Sequence, residues 1–427
     1  MTSSKLPTAD AAVPQARPYM LMLSPGSANL GGYRAVSDRM VGLNKLTDII
    51  CLAVNFFLGY MVYKSKIFYN FVNLKDKNMD NRFKIRLKQA RVMNGFSMDE
   101  LCKRTGNSIS KQAIYKYEQG KMLPNGSVLV ALADALGVKI DYFFRPLSVS
   151  IDNVEFSHGE KLGAKQIASI KEIVKDQLER YFEIEALSQI ECDSEVVMRY
   201  KLSGTSDVKL VAKYFRDKWK LGDDGINNLL ELLENNGIKV VEIDAPYEFD
   251  ALSGMVNHNK PFIVLNANLK PEDKRFAALH ELAHLTIAFD PGLTKSQIEH
   301  LCNQFASEML IGSYELKSLL GDKRKDISLS ELFDIQQQYG ISIENLIAKA
   351  KDLGIISPNR HNVFKEKLAD NASFRELVTK SRILPEQSGR FARLVYKALA
   401  NQIISISKAA ALLNIPVAEV DANLQLI

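Results

Sequence analysis

The residues best suited to chemistry stand close together as His280, Glu281 and His284, in the run His-Glu-Leu-Ala-His. Flanking residues predict a helix, because Pro271 and the two acids after it suit a first turn and residues 290–292 suit an end. Side chains four residues apart share one helix face, so both imidazoles can bind one ion. Glu281 is then placed to act as a catalytic base toward water at that ion.

A catalytic zinc site has three protein ligands and one open position, so a third ligand is needed. Residues 297–310 predict the next helix, and at about 100° per residue Glu299 and Asn303 fall on one side of it while Glu308 falls opposite. We predict Zn²⁺ as the cofactor, Glu299 as its third ligand and Asn303 as a residue that orients a histidine. Cys302 is the alternative ligand, although a small buried apolar residue is the simpler interpretation of it.

A helical core without metal, holding two incidental histidines, is the alternative to this whole site. Burying two imidazoles and a carboxylate without partners would be costly, which makes that alternative unattractive.

The positive charge of the chain is concentrated in one segment. Residues 82–145 hold 12 Lys/Arg against 5 Asp/Glu, whereas the remainder holds 43 against 45. A short basic segment in an otherwise balanced chain is expected of a domain that contacts phosphates.

The four cysteines are widely spread and have no paired spacing, which predicts no disulfide framework and favours a cytoplasmic protein. The apolar run 49–63 is shorter than the about 20 residues of a spanning helix, so it gives no confident membrane segment. Residues 1–78 are expected to be disordered or an upstream extension, with Met79 as the natural start. A weak membrane anchor is the competing interpretation.

The basic segment reads as a set of short helices. Ser97 followed by Glu100 predicts a capping box, and a helix is expected from Ser110 to Gln119. The run LKQARVMNGFSMDELCKRTGNSISKQAIYKYEQGKMLPNGSVLVALADALGV resembles the phage-repressor (XRE-like) helix-turn-helix. That resemblance implies binding to double-stranded DNA, and a homodimer, because such domains read paired half-sites. A basic helical module that binds protein is the alternative.

The expected recognition helix has two kinds of exposed residue. The residues predicted to reach base edges are Ser110, Lys111, Gln112 and Tyr115. Lys116 and Lys121 are better placed to contact phosphates, which position the domain without reading sequence.

The metal motif also lies within a family resemblance. In order along the chain, AKYFRDKWKLGDDGINNLLELLENNGIKVVEID, FDALSGMV, PFIVLN, KRFAALHELAHL and IEHLCNQFASEML resemble the ImmA/IrrE metallopeptidases. The spacing of Glu299 and Asn303 is similar to the third-ligand motif of that family. Cys302 stands where the family commonly has Ala, and Ile311-Gly312 where it usually has Pro.

This resemblance implies an α+β fold: an all-α helix-turn-helix domain, then a zincin-like metallopeptidase domain with a small sheet, then a helical C-terminal region. Runs 238–243 and 262–266 are the expected strands, and Leu210, Tyr214 and Phe215 mark an amphipathic helix before them. The expected boundaries are 1–78, 79–146 for the DNA-binding domain, 147–206 for a linker region with a helix from Ala164 to Glu183, 207–350 for the peptidase domain and 351–427 for the C-terminal domain.

The implied activity is cleavage of a protein substrate, such as a partner repressor, by a zinc endopeptidase fused to a transcriptional regulator. The alternative function is a non-catalytic transcription regulator, for instance an antitoxin with a toxin partner, that uses the zincin fold as a sensing module. An intact Glu281 favours the enzyme, because a chain that lost catalysis would be expected to lose that residue first.

Overall fold

The computed structural model describes residues 77–155, 162–190, 199–201 and 207–424, with side chains from residue 81 onward except at 152–155. The predictions for residues 1–76, the apolar run 49–63 among them, lie outside these ranges. Within the described ranges, none of the helices combines the length and the apolar character that crossing a membrane requires. Cys102 and Cys302 are free thiols.

The first unit is built from short helices around one core. Its elements are α1 (Lys77–Met93), α2 (Met98–Arg104), α3 (Lys111–Glu118), α4 (Gly126–Leu136) and a 3₁₀ helix (Ile140–Phe144). The capping box at the start of α2 is confirmed, since Ser97 and Glu100 each accept a hydrogen bond from the other's main-chain N–H. Every one of these elements buries apolar side chains in the same core, which fixes α3 with its polar face outward.

A strand and a long helix follow this unit: β1 (Ile151–Glu155) and α5 (Ala164–Leu187). The sequence predicts the helix but ends it at Glu183, one turn early, and does not predict β1. Helix α5 packs on α1, on the sheet and on C-terminal helices. Its contact with α1 includes a buried ion pair, with Arg86 Nη1 2.6 Å from Glu179 Oε2.

The main sheet has four strands in the order β1-β4-β5-β3. The bounds of the last three are β3 (Lys239–Ile243), β4 (Ala251–Val256) and β5 (Lys260–Asn266). β3 pairs with β5 in parallel, whereas β4 pairs antiparallel with both β5 and β1. Alternate residues point to opposite faces, so Val240 packs on the metal-motif side and Val241 packs against α5.

Helices on the Val240 side of the sheet carry the metal motif. They are α6 (Asp207–Lys218), α7 (Leu229–Asn235), α8 (Pro271–Thr286) and α9 (Lys295–Leu310), and the short strands β2 (Tyr200–Lys201) and β6 (Ile287–Ala288) form a parallel pair beside them. Two of the three residues predicted to form the apolar face of α6 are exposed, Leu210 at 67% and Tyr214 at 41%, while Val211 and Phe215 are buried.

The C-terminal region is helical, as predicted. It comprises α10 (Ser313–Leu320), α11 (Leu329–Tyr339), α12 (Ile343–Asp352), α13 (Pro358–Asp370), α14 (Ala372–Thr379), α15 (Arg390–Ala400), α16 (Ile406–Leu413) and α17 (Val417–Leu424). Glu185 of α5 joins this region to the sheet, because its carboxylate lies 2.6 Å from Arg390 Nη1 and 2.8 Å from Lys239 Nζ.

Candidate metal centre and nucleic-acid interface

Helix α8 presents the two histidines of the motif on one face. Pro271 occupies its first turn with acidic residues beside it, and the helix continues unbroken through the motif to Thr286. Apolar residues of the same helix, including Leu279 and Leu282, are fully buried in the core. This burial fixes the rotation of α8 and directs His280 and His284 toward α9.

Helix α9 supplies the facing residues. Thr294 caps it through a capping box with Gln297. Its apolar stripe, with Leu301 and Phe305, is buried against the core. The remaining face brings Glu299 to the two histidines, in agreement with the helical spacing of about 100° per residue.

Three donor side chains from the two helices converge. The Nε2 atoms of His280 and His284 are 3.2 Å apart. Glu299 Oε2 lies 3.0 Å from His280 Nε2, and Glu299 Oε1 lies 3.7 Å from His284 Nε2. Burial lowers the pKa of His280, but its hydrogen bond to Glu299 and nearby carboxylate charges outweigh burial and raise the net pKa above the ordinary value.

Asn303 holds His280 from the other side of the ring. Its Oδ1 lies 2.8 Å from His280 Nδ1. An amide oxygen can only accept, so His280 Nδ1 donates to Asn303, and Nε2 is the ring nitrogen that faces Glu299 and His284 and would bind a metal ion. Glu308, expected on the far side of α9, does not join this group, and its Oε2 lies 2.7 Å from Lys349 Nζ.

Glu281 points toward the sheet side of the site. Its Oε2 accepts a hydrogen bond of 2.7 Å from Ser253 Oγ, on β4, and its side chain is buried. Glu281, His280 and Asn303 line a cavity of about 350 Å³ that is bounded on one side by Ala251 of β4. Sequence reasoning missed Ser253, and no local signal marks it, because its contact depends on the packing of β4 against α8.

Cys302 also lies within reach of the histidines. Its Sγ and the ring nitrogens of His280 and His284 form a group in which all atoms are within 4.8 Å of one another. Burial, together with the charges of Glu299 and Glu281, raises the pKa of this thiol well above its ordinary value. The structure therefore offers a metal ion two sets of donors that share the same two histidines.

The residues predicted to contact DNA lie on and beside α3 and are exposed. Ser110 caps the helix, with its Oγ accepting from the main-chain N–H of Ala113. Lys111 Nζ lies 2.6 Å from Asp99 Oδ2, in an ion pair that is more than half exposed on both sides. Lys121 Nζ stands over the ring of Tyr115 at 5.7 Å.

The other two predicted residues, Gln112 and Lys116, point to solvent from the same helix, while Ile114 and Tyr117 hold its opposite face in the core. Helix α3 therefore presents polar and cationic side chains together, on the face opposite its buried residues. This arrangement suits a helix that enters the major groove.

These two sites define the class of the protein: a helix-turn-helix unit followed by a domain whose helix pair can hold a metal ion. Comparison with known proteins supports both parts. Residues 87–143 match the helix-turn-helix family model, and residues 233–351 match the peptidase family model described as the IrrE N-terminal-like domain. No curated protein and no solved structure matches the chain.

The chain thus contains an XRE-type helix-turn-helix domain, an IrrE-like metallopeptidase domain and a helical C-terminal region. The resemblance found in the sequence is confirmed, and so is the predicted fold class.

Proposed function

We propose that the chain is a zinc-dependent endopeptidase joined to a DNA-binding transcriptional regulator, and that it cleaves a repressor or another partner protein. The observation that carries this proposal is the convergence of the His280, His284 and Glu299 donor atoms beside the buried carboxylate of Glu281. Each of these roles was expected from the sequence, and the geometry supports them together.

The donor set fits zinc. Four ligands placed tetrahedrally at about 2.0–2.1 Å from Zn²⁺ are separated from one another by about 3.3 Å. The three separations between His280, His284 and Glu299, 3.0, 3.2 and 3.7 Å, bracket that value. Asn303 on His280 Nδ1 supplies the outer hydrogen bond that zinc-binding histidines usually have.

We assign the third ligand to Glu299 rather than Cys302. The two oxygens of the Glu299 carboxylate lie 3.0 Å from His280 Nε2 and 3.7 Å from His284 Nε2, whereas the group with Cys302 is held only within 4.8 Å. Cys302 is also fully buried among core apolar residues, which is the ordinary position of a structural thiol.

Zinc bound there would polarise the carbonyl of the scissile peptide and make water more acidic. Glu281 takes a proton from the attacking water and later donates it to the leaving amine, so the carboxylate ends the cycle as it began. The hydrogen bond from Ser253 fixes one oxygen of Glu281, and the side chain lines the cavity beside His280.

The peptidase proposal is tested with Glu281→Gln. This variant should bind zinc as the wild type does and lose cleavage of fluorescein-labelled casein, because the ligands remain while the proton acceptor is gone. It should also trap the natural substrate in a pulldown. A zinc-loaded wild type that cleaves no better than Glu281→Gln, with partner-protein levels unchanged in cells, would favour the non-catalytic regulator.

For the first domain, we propose that α3 reads an operator in double-stranded DNA, with two copies of the chain on paired half-sites. Lys111→Ala and Gln112→Ala should reduce discrimination between operator and random DNA. Lys116→Ala should weaken binding to every sequence and make the salt dependence shallower, because it removes a phosphate contact. Equal losses on all sequences in the three variants would refute this recognition helix.

A further inference from the structure

Strand β1 covers the edge of the sheet that lies beside the proposed active site. β4 pairs with β5 on one side and with β1 on the other. The β1 pairing is antiparallel, running from Ile151 opposite Val256 to Glu155 opposite Ser253. If β1 were removed, β4 would become the edge strand of the sheet.

This edge leads directly into the candidate catalytic cavity. Ser253, which lies opposite the last residue of β1, donates the 2.7 Å hydrogen bond to Glu281. At the start of β4, Ala251 and the preceding Asp250 line the cavity together with His280. A peptide that paired with β4 along its whole length would therefore pass from the position of β1 into the cavity.

β1 is not part of the matched peptidase domain. It lies at 151–155, whereas the match begins at residue 233, so the strand comes from the segment that joins the two domains. Its register with β4 is interrupted between Asp152 and Glu155, while β4 and β5 pair without interruption over six residues. A short edge strand with an irregular register is the part of a sheet that opens most easily.

One side chain anchors the start of β1. Asn257, in the turn after β4, accepts hydrogen bonds at Oδ1 from the main-chain N–H and the hydroxyl of Ser150, and its Nδ2 donates to the carbonyl of Ser148. A few residues earlier, the carbonyls of Arg145 and Pro146 accept hydrogen bonds from Arg86 of the DNA-binding domain. The position of β1 is thus tied to the domain that precedes it.

We propose that β1 is an intramolecular inhibitor of the peptidase: it occupies the outer edge of β4, the edge to which an extended peptide substrate would add. The proposal rests on the proposed peptidase function. A substrate that adds to a sheet edge is held by main-chain hydrogen bonds, with the peptide in extended form. The substrate class is accordingly an extended terminus or loop of a protein, without proline where its N–H must pair with β4. β1 leaves before such a segment binds.

The test opens β1 without touching the catalytic residues. Asn257→Gly deletes the three side-chain hydrogen bonds to the start of β1 and keeps the left-handed backbone, because φ is +49° at this position. Asn414→Gly is the matched control, since it makes the same change at φ +58° at the end of α16. Asp152→Pro is a second opening variant, because proline removes a main-chain donor from the strand. Hydrogen exchange of the β4 amides verifies that the strand has opened.

Binding is measured in the Glu281→Gln background, by fluorescence anisotropy with a dye-labelled peptide of residues 147–155. Both opening variants should bind this peptide about tenfold more tightly than their parent, because β1 leaves the edge of β4 open in a larger fraction of the molecules. The control variant should bind it no more tightly than the parent. Opened variants that bind the peptide no more tightly than the parent would overturn the proposal.

Cleavage of labelled casein is measured with the zinc-loaded chains that retain Glu281. The opening variants should cleave several-fold faster than the wild type. If the wild type cleaves casein and the variants in which hydrogen exchange shows an open β1 cleave it no faster, the proposal would also be overturned. Tighter peptide binding with no cleavage by any variant would support the docking edge and refute the peptidase function instead.

Discussion

Replacing Asn303 with alanine should weaken zinc binding without removing a ligand. Asn303 Oδ1 lies 2.8 Å from His280 Nδ1, and this contact holds the ring with Nε2 toward Glu299 and His284. Loss of such an outer partner typically costs about 10- to 100-fold in metal affinity, or about 1.4–2.7 kcal/mol. We expect a loss near the tenfold end, because His280 is only 4% exposed and packing still restrains its ring.

The assay is competition for zinc between the protein and a chromophoric chelator at fixed pH. Asn303→Asp keeps an acceptor for His280 Nδ1 and should retain most of the affinity. Gln304→Ala is the matched control, because its side chain contacts His300 on the exposed side of α9. An affinity that is the same in Asn303→Ala as in the wild type would show that Asn303 does not orient the histidine.

Three further predictions concern stability, measured as the free energy of unfolding in urea. Burial raises the pKa of Glu234 from 4.5 to about 7 despite hydrogen bonds from Tyr181 and a main-chain N–H. As pH rises, the unfolded chain therefore loses this proton before the folded chain does. The free energy of unfolding of the wild type should fall by up to about 3 kcal/mol between pH 4.5 and 7.5 relative to that of Glu234→Gln. A constant difference across that range would contradict the shifted pKa. Arg86→Met leaves the Glu179 carboxylate buried without its partner and removes hydrogen bonds to the carbonyls of Arg145 and Pro146, so it should cost about 3–5 kcal/mol. Adding Glu179→Gln should restore the part of this loss that comes from the buried charge, and a double variant as unstable as the single one would refute this. Gly225→Ala should destabilise by about 1–3 kcal/mol or more, because a Cβ there would stand 2.0 Å from a carbonyl oxygen of α11, and an unchanged stability would show that the helix yields freely.

The sequence was sufficient where structure is local. The capping box of Ser97 and Glu100 follows from side-chain chemistry within four residues, and the structure shows it. Helical periodicity likewise brings Glu299 and Asn303 to the side of α9 that faces the histidines. These contacts depend on one helix pair whose apolar stripes leave little choice of rotation.

The elements that the sequence did not predict depend on contacts far along the chain. β1 gains its structure by pairing with β4, about a hundred residues later, and no periodicity within five residues reveals such a partner. The sequence did not predict a role for Ser253 either, because its hydrogen bond to Glu281 forms only when β4 packs against α8. The exposure of Leu210 shows a related limit: the apolar pattern identified α6 but not which residues of it are buried.

The most direct test of the metal centre is the zinc content of purified chains after dialysis, measured by mass spectrometry of the metal. With His280, His284 and Glu299 as ligands, the wild type and Cys302→Ser should each retain about one zinc ion per chain, and Glu299→Ala should retain little. Zinc that remains in Glu299→Ala and disappears from Cys302→Ser would contradict the proposed centre.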